Sequence, residues 1–141
     1  MDINEFKSSI ERELQYAKEY SKENNNKYNT TEYFPLQISD ENEIYSLMIT
    51  SDEGMFFFEL LADYGLYGNG PCWEGIIQQI LEKDMPELLD TIEFDSEADA
   101  CLLHFESKRD SKRVAKHLHE ICINNSILEQ YLKSIDKRID D

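Results

Sequence analysis

The sequence predicts an α+β fold: an antiparallel β-sheet of about four or five strands, helices packed mainly on one face, and an N-terminal amphipathic helix in front. Three observations predict it. Apolar residues recur at three- and four-residue steps in four segments, the spacing of helices with one buried face. Other short segments alternate apolar and polar residues, the spacing of strands. The turns "SDENE" and "SDEG" between the early strands are too short for the crossovers that parallel strands need.

Taken in order, Ile3, Phe6, Ile10, Leu14 and Ala17 mark a helix over residues 2–22. The polar run "KENNNKYNTTE" reads as a loop or linker. Phe34, Leu36 and Ile38 alternate as a strand, which Pro35 confines to an edge or a strand start. "IYSLMIT" (44–50) is a second strand and "MFFFEL" (55–60) a third, completing a meander. Trp73, Ile76, Ile77, Ile80 and Leu81 share one face of a helix that begins near Pro71 and ends near "KDMP". "ELLDTIEF" passes through a short turn to a strand at 98–107, apolar enough to lie near the middle of the sheet. Two helices follow, burying Val114, Leu118, Ile121 and Cys122, then Leu128, Leu132, Ile135 and Ile139. No repeat is visible. The reading is one domain over 1–141, with a helix and linker at 1–32 and a core at 33–135.

The charge is unevenly placed. The chain carries a net −16. Residues 28–107 hold eighteen acidic side chains against one basic residue, Lys83, a net of −17. Residues 1–27 are near neutral, and 108–141 carry eight basic against six acidic side chains. Such a middle repels nucleic acid and anionic membrane, and it speeds encounter with a basic partner. Cys72, Cys101 and Cys122 are odd in number and contain no Cys-x-x-Cys pair, so they are expected to be reduced and buried. With a start that lacks the pattern of a signal peptide, this points to a cytoplasmic protein.

Four of the five glycines fall in "GLYGNGPCWEG" (65–75). The spacing matches neither the dinucleotide fingerprint nor the P-loop, and the neighbouring Glu59, Asp63 and Glu74 would repel a polyphosphate. The better reading is a stiff structural corner of Gly65, Gly68, Asn69, Gly70 and Trp73, with successive left-handed residues around Asn69. His117 and His119 are two apart on a helix and diverge, so they are poor joint metal ligands, and His104 reads as a hydrogen-bonded, half-buried residue. Asp95, Glu97 and Asp99 lack the spacing of a calcium loop. No catalytic residues, metal or cofactor are expected. The composition describes a binder rather than an enzyme.

The run from "YSLMI" through "GLYGNGPCWE" and "IEFDSEADACLLHF" to "HLHEI" resembles the immunity protein 51 family of bacterial polymorphic-toxin systems. The resemblance covers residues 33 to about 135. It is most specific in the glycine corner and in the "F-D-x-E-A" element that contains Asp95 and Glu97. After the "NG" glycine the family usually has Tyr and Asp, where this chain has Pro71 and Cys72. The resemblance implies a protein that binds and blocks a cognate toxin domain, often encoded beside it. The charge agrees with a basic, nuclease-type toxin as partner. On that reading Glu59, Asp63, Glu74, Glu93, Asp95, Glu97 and Asp99 supply an acidic rim, and Tyr64 and Tyr67 aromatic anchors. No nucleic acid and no membrane are expected as partners. Two rivals stay open, an acidic nucleic-acid mimic that inhibits several basic proteins and a small ligand-binding domain with a pocket behind the glycine corner.

Overall fold

The computed structural model describes residues 3–24, 32–40, 43–50 and 57–135. In chain order they form α1 (Ile3–Asn24), β1 (Gln37–Ser39), β2 (Tyr45–Thr50), α2 (Phe58–Ala62) and α3 (Gly70–Asp84). A 3₁₀ turn (Pro86–Thr91) leads to β3 (Glu93–Glu97), β4 (Ala100–Phe105), α4 (Lys108–Cys122) and α5 (Asn125–Lys133). The four strands form one antiparallel sheet in the order β1-β2-β4-β3. The α+β expectation holds.

Strand alternation gives the sheet two unlike faces. Leu47, Ile49, Cys101 and Leu103 are buried on one face, with Ile38, Tyr45 and Phe94 partly buried beside them. Onto that face pack Trp73, Ile76, Ile77, Ile80 and Leu81 of α3, Val114, Leu118 and Ile121 of α4, and Leu128 and Leu132 of α5. Helix α1 joins the same core through Phe6 and Ile10, with the Phe6 ring 6.3 Å from Phe57 in an edge-on contact. The opposite face, carrying Ser46, Met48, Leu102 and His104, adds nothing to this core.

Three expectations are corrected. The third strand read at 55–60 is helical where it is described: Phe57 opens a 3₁₀ turn and α2 follows, while residues 55 and 56 lie outside the described set. Phe57, Leu60 and Leu61 are all buried, and their i, i+3, i+4 spacing is that of a helix face. A short apolar run carries both periods, and packing decided between them. The strand read from Phe34 begins only at Gln37, because Tyr33 and Leu36 close a turn (Leu36 N–H to Tyr33 C=O, 2.9 Å) that contains Pro35. The missing sheet member is β3, within the stretch read as turn and acidic rim. Most of the polar run at 22–32, and Ile139, lie outside the described residues.

One polar cluster ties three helices. Asp84 Oδ2 at the end of α3 lies 2.7 Å from His117 Nε2 of α4 and accepts the Tyr131 hydroxyl of α5. Lys83 sits over the Tyr131 ring, 5.1 Å from its centre. Burial works to raise the Asp84 carboxyl, but the Tyr131 and His117 hydrogen bonds outweigh it and hold the group below its ordinary value. Burial and then Asp84 push the Tyr131 phenol up to about 12. A carboxyl depressed in the folded state stabilises the fold above its unfolded pKa and loses that contribution as pH falls through the folded value. Asp84→Asn should therefore cost about 1–2 kcal/mol at neutral pH. The gap from wild type should close below about pH 4, where the unfolded carboxyl begins to protonate. Urea midpoints across that range test it, and a gap independent of pH would mean that the cluster is held without the charge.

Candidate partner-binding surface

The glycine corner is built from three different requirements. Gly65 and Gly68 each have φ of +75°, a left-handed backbone that L side chains rarely adopt. Asn69 is not left-handed, as the sequence suggested, but extended at φ −82°. Its Oδ1 accepts the Cys72 N–H at 2.9 Å and caps α3. Gly70 is needed for space. A Cβ there would fall 1.9 Å from the Glu97 carbonyl oxygen and 2.4 Å from that of Ala100. Its N–H donates to Ala98 C=O at 3.2 Å, so the start of α3 rests directly on the β3–β4 turn. Trp73, one turn of helix further, is buried and meets Phe57 edge-on at 5.8 Å. Its Nε1 has no hydrogen-bond partner, so packing alone holds the ring.

The turn held by Gly70 joins the strand that carries the predicted acidic residues. Register places Glu93, Asp95 and Glu97 opposite His104, Leu102 and Ala100, on the face turned away from the core, and all three are exposed. Phe94 and Ser96 point the other way, toward the core. Ser96 Oγ donates to Glu74 Oε1 at 2.9 Å, which pins the half-buried Glu74 of α3 beneath the strand. Asp99, also exposed, lies in the turn.

Register also makes an arrangement that the sequence did not reveal. Ser46 Oγ and His104 Nδ1 are 2.8 Å apart across β2 and β4, and His104 Nε2 is 4.0 Å from Asp95 Oδ2 on β3. These residues are 58 and nine positions apart in the chain, and only strand pairing aligns them. The row has the residue types of a hydrolytic triad. Ser46 is only 4% exposed, however, and the 4.0 Å His–Asp separation is too long for a hydrogen bond. Its effect is to orient the imidazole beside the carboxylates.

The remaining predicted residues form a second group. Glu59 and Asp63 are exposed on and after α2. Tyr64 is engaged within the fold, since its hydroxyl donates to Glu129 Oε1 of α5 at 3.1 Å. Tyr67 is 68% exposed, three residues before Gly70. Of the two departures from the family pattern, Pro71 is exposed and Cys72 buried, so only Pro71 can alter a contact. All three cysteines are free and buried, and burial pushes the Cys101 and Cys122 thiols up to about 12.

Charge pairing sharpens the contrast between the faces. Lys108 of α4 pairs with Asp40 at 3.0 Å, and Arg113 lies 3.7 Å from both Glu87 and Asp110. Among the described residues no lysine or arginine pairs with Glu93, Asp95 or Glu97. The sheet therefore presents a bare carboxylate row on its outer side. Among the described residues, no group of three or more His, Cys, Asp or Glu side chains could hold a metal ion, and no helix is long and apolar enough to cross a membrane.

The family model for immunity protein 51 matches residues 34–137, most of the chain and all of the sheet. The chain belongs to the immunity protein 51 family. No curated protein and no solved structure gives a significant match. Membership makes this an immunity protein, whose partner is a toxin. The match contains the corner, the acidic hairpin and the Ser46–His104–Asp95 row. Helix α1 precedes the matched region and joins the core through Phe6 and Ile10.

The Gly70 contact makes a sharp forecast. Gly70→Ala forces apart main chain that no side-chain rotation can relieve, so it should destabilise the protein by about 3 kcal/mol. Asn69→Ala should cost about 1 kcal/mol through the lost cap. Chemical denaturation of both variants checks the order, and a Gly70→Ala protein as stable as wild type would refute the close approach.

Proposed function

We propose that this immunity protein neutralises a basic, nuclease-type toxin domain in the cytoplasm, by laying its acidic hairpin and corner over the toxin's substrate-binding surface. It needs no metal or cofactor for this and does not bind nucleic acid itself. One observation carries the reading: Glu93, Asp95 and Glu97 stand exposed on one sheet face with no lysine or arginine partner among the described residues. A surface that holds nucleic acid is rich in Lys and Arg, and such a row complements it in sign and competes with the phosphates for it. Tyr67 supports the same reading, because an exposed aromatic ring beside the acidic turn is the kind of anchor that dominates interface energetics. Glu59, Asp63 and Asp99 extend the rim on either side of the corner, and Glu74 supports it from below through its bond to Ser96. Tyr64 contributes by holding α2 to α5.

Two substitutions separate steering from anchoring. Asp95→Lys with Glu97→Lys should slow association with the toxin domain encoded beside this chain by about tenfold or more at low salt, with the difference shrinking as salt rises. Stopped-flow mixing reads this directly, and an unchanged rate would remove the strand from the interface. Tyr67→Ala should instead act on dissociation and weaken the complex by about 2 kcal/mol. Tyr64→Phe should lower thermal stability and leave the affinity nearly unchanged.

A further inference from the structure

The sheet has two edges, and they differ. Strand β1 is three residues long, and its Gln37 and Ser39 are buried. Strand β3 is five residues long; three of its side chains are exposed and two half-buried. It is paired on one side only, with β4. The turn between them has two residues, Ala98 and Asp99, and Glu97 faces Ala100 across it. In such a hairpin the closing pair and every second pair beyond it exchange hydrogen bonds between the strands. Glu93, Asp95 and Glu97 thus spend their main-chain groups on β4, and the N–H and C=O of Phe94 and Ser96 point to the open edge. Among the described residues no other main-chain group bonds to the main-chain N–H or C=O of Phe94 or Ser96; the one main-chain contact of Ser96 is through its side chain, Oγ to the Gly70 carbonyl at 3.5 Å.

An unpaired edge is a template for another strand, and the carboxylates select which strand can use it. A second copy of this chain pairing β3 to β3 would set three carboxylates against three, so the edge rejects its own kind. A strand with lysine or arginine at alternate positions would set its cations beside the row. We propose that the open edge of β3 receives an extended basic segment of the toxin as a fifth strand, main chain to main chain at Phe94 and Ser96, with its cations beside Glu93, Asp95 and Glu97. This rests on the toxin-neutralising reading and specifies how the two proteins join. The five residues of β3 offer an edge about 17 Å long. Main-chain bonds supply the adhesion and the alternate charges supply the choice of partner.

Amide hydrogen exchange on the full chain tests it, using as probe a catalytically inactivated form of the toxin domain encoded beside this protein. In the free protein the Phe94 and Ser96 amides should exchange quickly, and in the complex they should slow by at least tenfold. The triple variant Glu93→Lys, Asp95→Lys, Glu97→Lys should lose both that protection and most of the binding. A complex in which these two amides exchange as fast as in the free chain overturns strand addition while leaving immunity intact. Absence of any complex, with no rescue of cells that make the active toxin, overturns the underlying reading as well.

Discussion

The architecture depends on one close approach, the backbone of Gly70 against the backbone of the β3–β4 turn. Nothing larger than a hydrogen atom fits between Gly70 and the carbonyls of Glu97 and Ala100. That contact fixes the start of α3 to the end of a hairpin and so couples the helical layer to the outermost strand. The Asn69 cap, the Ser96–Glu74 bond and the buried Trp73 ring all lie within a few residues of it and act in the same sense. An acidic hairpin at the edge of a sheet would otherwise be free to splay under the repulsion of its own carboxylates. Held from below, it can present them in a set geometry, which lowers the ordering cost of binding.

The two faces of the sheet do different work because strands alternate. Inward positions of β2 and β4 are Leu47, Ile49, Cys101 and Leu103, and they join a core continuous with three helices and with Phe6 of α1. Outward positions are Ser46, Met48, Leu102 and His104, bordered by the acidic residues of β3. The helices are tied to one another by the Asp84–His117–Tyr131 cluster, so the helical layer does not depend on the outer face for its cohesion. The acidic residues of β3, exposed at the edge of the outer face, are left available for recognition.

Much of this was legible in the sequence, and the failures have physical causes. The buried faces of α3, α4 and α5 could be read from spacing, because a helix that packs one side on a core must repeat its apolar residues every three or four positions. Residues 57–60 were misread because a run of three phenylalanines before Glu59 and Leu60 satisfies either period. Strand β3 was overlooked because an edge strand needs few apolar residues, and Phe94 is its only large one. Its alternate acids were seen as a rim, although the same two-residue period was a strand signal. In the corner, flexible backbone was expected at Asn69, yet the glycine beside it serves a steric need that depends on a turn 27 residues away. The Ser46–His104–Asp95 row was invisible for the same reason: it exists only once three strands are in register.

The basic helix α4 has a consequence beyond its ion pairs. It carries five lysines and arginines against two acidic residues, and it lies on the side of the sheet opposite the carboxylate row. The charge is therefore unevenly spread as well as negative, with the carboxylate row at the hairpin and the lysines and arginines of α4 across the core. Charge total governs how strongly a basic body attracts it, but charge separation governs which end turns toward that body. Near a cationic surface the molecule experiences a torque before it experiences contact. The torque is felt within about 10 Å at moderate salt, roughly the width of one packed layer. Wrong-end encounters would be corrected in flight rather than by dissociation and retry.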